Sequence, residues 1–133
     1  MRALALCAAL SLAACATVTQ NAEPVSGIAP EGTTIGIGQS VQVSEAVVTP
    51  LQVTDDSRCP STVQCVWQGR VAVQARVETR VSREIVEIAT NEPADIDGYD
   101  IGMEVVEPVR RTPSQEFGAD EYRFRFAPRP LSD

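Results

Sequence analysis

Apolar and polar residues alternate with a period of two through the middle of this chain. Cys65, Trp67, Gly69, Val71, Val73, Ala75, Val77, Thr79 and Val81 share one parity, while Val66, Gln68, Arg70, Ala72, Gln74, Arg76, Glu78, Arg80 and Ser82 share the other. Successive side chains of a strand point to opposite faces, so this pattern predicts a strand with the odd set facing a core. The run exceeds the usual strand length of about 3–10 residues. A bend or bulge at Gly69, or a turn near Ser82-Arg83, is therefore expected to divide it. Tyr122, Phe124 and Phe126 alternate with Arg123 and Arg125 in a final strand, ended by Pro128 and Pro130.

Shorter β-signals precede and separate these two. Thr33 to Ile37 is a candidate strand stopped by Gly38-Gln39, and Val41, Val43 and Glu45 alternate with Gln42 and Ser44. Val47, Val48, Leu51 and Val53 surround Pro50, which predicts an edge position or a break. Asp55 to Gln64 reads as a loop, and Ile85, Val86 and Ile88 as a strand. Ala89 to Asp100 reads as a polar acidic loop, Met103 to Val109 as a strand, and Arg110 to Asp120 as a second loop. No helical period and no internal repeat interrupts this. About seven short strands predict an all-β domain over residues 33–130, a small antiparallel β-sandwich or barrel-like fold. With three Phe, two Tyr and one Trp, its core is expected to be mostly Val and Ile.

The N-terminus reads differently. Arg2 precedes an Ala/Leu run from Ala3 to Ala13, the length of a signal-peptide core and too short to span a bilayer. The segment resembles bacterial lipoprotein signals, in which a Leu, two small residues and a Cys, here Leu12-Ala13-Ala14-Cys15, direct cleavage and acylation of that Cys. The resemblance implies a signal peptide over 1–14, a lipid-anchored Cys15 and an address in the bacterial cell envelope. The alternative is an ordinary secretory leader that carries a Cys. Ala16, rather than Asp, follows Cys15 and favours the outer membrane, with the domain facing the periplasm. Residues 16–32 contain Pro24, Gly27, Pro30 and Gly32 without periodicity, which predicts a flexible tether over 15–32.

Charge and composition then narrow the chemistry. All eleven basic residues are Arg, against eighteen acids and no His. Without residues 1–14 the balance is ten positive against eighteen negative, or −8, which argues against nucleic acid as a partner. Lack of His excludes a Ser-His-Asp triad, a Cys-His pair and a His-ligated zinc site. No cofactor is expected. With Cys7 in the leader and Cys15 acylated, Cys59 and Cys65 remain, and two Cys in an exported chain are most simply a disulfide.

Asp55 to Gly69 is the densest cluster of unusual residues. Asp56-Ser57-Arg58-Cys59-Pro60, a short spacer and Cys65-Val66-Trp67-Gln68-Gly69 resemble a motif of uncharacterised small secreted proteins and lipoproteins of bacteria, with Gln68 at a position where Ala is expected. The resemblance covers residues 35–75 and implies a β-rich exported domain without assigning an activity. On a strand, Cys65 and Trp67 share a face, so the indole is expected to pack near the sulfurs and seal the core. Asp55, Asp56 and Ser57 can accept backbone N–H groups of a turn, and Arg58 can pair with either Asp. The plain reading is a structural staple of disulfide, cap and Trp plug. The sharper one is a rigid exposed loop that presents Arg58, Ser61 and Thr62 to a partner.

Two further clusters are weaker. Asp95, Asp97 and Asp100 beside Gly98 supply the oxygens a hard cation such as Ca²⁺ requires, although their spacing does not match a calcium loop. Arg70, Arg76 and Arg80 read as the wet face of a sheet, which Arg123 and Arg125 could share to bind an anion. These readings lead to a non-enzymatic, lipid-anchored envelope protein that binds another envelope protein or a small ligand, or supports envelope structure. The alternatives are a protease inhibitor acting through the Cys59–Cys65 loop and a cation-binding or carboxylate-based site in the acidic loop.

Overall fold

A computed structural model describes residues 27–129. Seven strands form two antiparallel sheets. The first sheet has the order β1 (Val41–Val43), β2 (Ala46–Asp56), β3 (Val71–Glu78), β4 (Arg83–Ala89). The second has the order β5 (Ala94–Ile96), β6 (Tyr99–Glu107), β7 (Arg123–Pro128), with a short 3₁₀ turn at Ala119–Glu121 before β7. The sheets close over one core in a small β-sandwich. Val and Ile make up most of that core, joined by Met103, Tyr122, Phe124 and Phe126.

Parity decides which side of β7 is buried and governs most of β3, where Ala72 is buried as well. Val71, Val73, Ala75 and Val77 of β3 are fully buried, as are Phe124 and Phe126 of β7. Tyr122, Phe124 and Phe126 form a continuous row, with successive ring centroids 5.8 and 6.1 Å apart. Arg123 and Arg125 alternate outward. They belong to the second sheet and Arg76 to the first, so the outer faces are opposed and the arginines do not form the expected shared row.

Several expectations are corrected. The long alternating run divides at Gly69 as expected, where the backbone turns left-handed (φ +65°), but the whole segment 59–68 is carried out of the sheet and only Val71–Glu78 is strand. Cys65 and Trp67 therefore leave the core face, and Val81, at the other end, is exposed in the β3–β4 turn. Thr33 to Ile37 forms no strand. Turns flank it, and only Ile35 pairs, exchanging two backbone hydrogen bonds with Phe124 at 2.9 and 2.8 Å.

Pro50 does not end its strand: it is fully buried within β2, paired with Ala75 of β3 on one side and lying just past the end of β1 on the other. Its carbonyl accepts the Gly38 N–H at 2.8 Å. The N and O of a strand residue face the same side, so the missing N–H points past the end of β1 and costs no bond to β3. The register slips after Pro50 and again after Val53.

The acidic loop contains β5 and the start of β6. Asp97 and Gly98, both at positive φ (53° and 82°), form the two-residue turn between Ile96 and Tyr99. Two central residues at positive φ match the twist of a tight hairpin. Ahead of β1, Ala29 bridges Val41 in parallel, so the edge of the domain already begins there. Cys15 and the leader lie outside the described residues.

Candidate functional site

The unusual residues of the sequence meet at one pole, beyond the ends of β2 and β3. Asp56 is the last residue of β2 and Val71, its partner, the first of β3. Between them the chain leaves and returns through a narrow neck. Ser57 N–H donates to the Arg70 carbonyl (2.8 Å), and Cys59 N–H to the Gln68 carbonyl (3.0 Å). The Ser57 hydroxyl also accepts the Arg70 N–H at 3.1 Å. Gly69 is required in this neck, since a Cβ there would lie 1.8 Å from the Ser57 carbonyl oxygen. Beyond the neck, Cys59 and Cys65 form the disulfide, with their Cα atoms 5.9 Å apart.

The closed loop is stitched sideways to the segment after β6. Ser61 N–H donates to the Arg110 carbonyl at 3.0 Å, the Thr62 hydroxyl to the Arg111 carbonyl at 2.6 Å, and Arg58 Nη1 to the Pro108 carbonyl at 2.6 Å. Pro60 is buried beneath the loop. Ser61 and Thr62 remain at the surface, although the backbone of one and the hydroxyl of the other serve this seam.

A charged cluster lies under the loop. The Asp56 carboxylate, 9% exposed, accepts Arg58 Nε and Nη2, both at 2.9 Å, and the Tyr122 hydroxyl at 2.7 Å. Arg110 adds an ion pair at 3.5 Å. Phe117 packs against both guanidinium groups, 5.9 Å from Arg58 and 5.4 Å from Arg110, and edge-on to Tyr122 at 6.0 Å. Burial acts to raise the Asp56 pKa, but hydrogen bonds from Arg58 and Tyr122 and the charges of Arg58 and Arg110 outweigh it and hold it at about 2. Burial, and then the Asp56 hydrogen bond and charge, push the Tyr122 hydroxyl up to about 12.

Arg58 is thus part of the foundation and not a side chain offered to a partner: its side chain is 19% exposed and committed to Asp56 and Pro108. The residue that is offered is Trp67. It is 83% exposed and its neighbour Val66 96% exposed, the reverse of the expected plug on the disulfide. Residues 61–68 are all exposed and carry no charge. Beside the neck is a shallow groove of about 610 Å³, with Met103 and Val105 on its floor and Arg58, Glu104 and Arg129 at its rim.

The acidic loop does not assemble into a site. Asp97 accepts hydroxyl hydrogen bonds from Ser82 (2.5 Å) and Thr79 (2.6 Å), which lower its pKa. Asp95 and Asp100 face each other across the hairpin. This hairpin touches the β3–β4 turn, at the opposite end of β3 from Asp55 and Asp56. Among the described residues, no three Asp, Glu or Cys side chains converge to hold a metal ion.

Sequence reasoning missed Tyr122, Arg110 and Phe117 as members of the polar cluster. Only the Arg58–Asp56 pairing carried a local signal. No protein-family model, curated protein or solved structure matches this chain.

Proposed function

We infer that this protein is a non-enzymatic binding module of the bacterial envelope, lipid-anchored at Cys15, that meets another envelope component through its disulfide pole. The observation that carries the reading is the exposure of Val66 and Trp67 on an uncharged loop held from three sides: the disulfide, the Ser57–Arg70 neck and the seam to residues 108–111. Large apolar side chains cost free energy in water, about 25 cal/mol per Å² left uncovered. A loop already fixed in shape loses little entropy when it is covered. The Leu12-Ala13-Ala14-Cys15 lipobox supports the anchor, and Ala16 supports the outer membrane.

Protease inhibition is the weaker reading, because Arg58, the side chain that would enter a specificity pocket, is turned inward. Cross-linking capture from native membranes, with Trp67→Ala beside the native chain, tests the proposal. A component enriched by the native chain and lost with Trp67→Ala supports it. Equal enrichment by both places function elsewhere on the molecule.

A further inference from the structure

The apolar surface of this protein is unevenly distributed. Seven large hydrophobic side chains are exposed among the described residues, and four of them (Val63, Val66, Trp67 and Val109) lie in the two loops that Ser61 and Thr62 stitch together. Between these apolar groups the disulfide loop presents a hydroxyl and amides, Ser61, Gln64 and Gln68, with Thr62 exposed but its hydroxyl given to the Arg111 carbonyl. It presents no acid, although the chain has eighteen. Apolar and aromatic side chains among uncharged hydrogen-bonding groups suit the headgroup boundary of a bilayer, where Trp is favoured and a carboxylate would have to be desolvated.

The path of the chain points to the same occupant. β2 ends at this pole, β1 runs antiparallel to β2, and Ala29 pairs in parallel with β1. The described chain therefore begins, at Gly27, on the disulfide-pole side of Ala29. From the level of Val48, beside Ala29's partner Val41, to Asp56 is 56 − 48 = 8 residues, about 26 Å at about 3.3 Å per residue, and the disulfide loop lies beyond it. Cys15 precedes Gly27 by 27 − 15 = 12 residues. Twelve residues reach roughly 17–21 Å as a coil and about 40 Å extended. An acyl group on Cys15 and the tip at Trp67 can therefore meet the same membrane surface.

We propose that the Val66–Trp67 pole seats in the headgroup region of the bilayer that holds Cys15, fixing the domain to the membrane at two points. The seat takes the bilayer itself as the envelope component met by the disulfide pole and rests on the lipid-anchored reading above, and two separate readouts distinguish their failures. Trp67 is the one Trp of the chain, so its emission reports the pole alone. The native lipoprotein, purified from membranes and reconstituted into phosphatidylethanolamine/phosphatidylcholine vesicles, is followed by flotation and by quenching with lipids brominated near the headgroup.

Flotation tests the anchor and quenching tests the seat. The expected result is flotation with a blue-shifted Trp67 emission that loses most of its intensity to the brominated lipid. Val66→Asp, at a site 96% exposed, is expected to float equally and return the emission to the red, unquenched. Flotation without quenching of the native chain overturns the seat and leaves the anchor. Quenching that Val66→Asp does not change also overturns it. Quenching on simple addition to vesicles, without stable flotation, supports the seat and removes the anchor. Shielding of Trp67 only when envelope proteins are added replaces the lipid with a protein partner and overturns the proposal.

Discussion

Replacing Asp56 by Asn should remove one defined part of the acid sensitivity of this fold. Asp56 has a folded-state pKa of about 2 against 3.8 for the free group. Between those values the unfolded chain binds more protons than the folded one, so stability rises with pH through this window and falls as acid is added. At about 1.36 kcal/mol per pH decade, the difference of 3.8 − 2 corresponds to about 2.4 kcal/mol, present above pH 4 and lost as the pH falls through 2. The side chain is 9% exposed, so solvent screening leaves most of this in place. In Asp56→Asn, Arg58 and Arg110 keep their burial but lose their counter-charge, which should cost about 3–5 kcal/mol at neutral pH. Urea unfolding at pH 7, 4 and 2 would measure both effects. The native chain should lose about 2 kcal/mol more than Asp56→Asn between pH 4 and 2, because Asn does not titrate. Parallel pH profiles for the two chains would refute the assignment of that energy to Asp56.

Gly69→Ala should destabilise the fold by roughly 3 kcal/mol, combining a left-handed Ala at about 1–2 kcal/mol with the opening of at least one neck hydrogen bond at about 1 kcal/mol; urea unfolding with an unchanged midpoint would contradict the neck geometry. Arg58→Ala should cost about 2 kcal/mol, the worth of its hydrogen bonds to a carboxylate, read as a drop in melting temperature. A stable Arg58→Ala protein would return Arg58 to the surface role first expected of it. Trp67→Ala, by contrast, should stay within about 0.5 kcal/mol of the native stability, since the side chain is 83% exposed.

Strand pattern was legible wherever parity coincided with burial. Tyr122, Phe124 and Phe126 are inward and Arg123 and Arg125 outward as the alternation predicts, and Val71, Val73, Ala75 and Val77 are inward likewise, with Ala72 of the other parity buried as well. Parity misled at Cys65 and Trp67: a bend at Gly69 was expected, but alternation does not say that the residues before it leave the sheet. The cue was present in Gly69 but reads equally as a bulge within a strand. The β5–β6 hairpin was hidden in the same way. Asp97-Gly98 is a turn signature, but only three residues of β5 precede it and one of them, Asp95, is charged.

The Asp56 cluster was legible only in its local half. Arg58 lies two residues from Asp56, whereas Arg110 and Tyr122 lie 54 and 66 residues away along the chain. Their meeting depends on the loop after β6 folding back over the end of β2. No period in the sequence encodes such a contact. The disulfide was accessible by counting, since reading Cys7 and Cys15 as leader and anchor residues leaves two Cys with each other as partners.

The emission of Trp67 in the polypeptide from residue 16 onward, in plain aqueous buffer, bears most directly on whether the disulfide pole is an outward-facing contact surface. An exposed indole should emit near the wavelength of the urea-unfolded chain and be freely quenched by iodide. A blue-shifted emission shielded from iodide would put Trp67 against the disulfide as a core plug and contradict the reading of this pole.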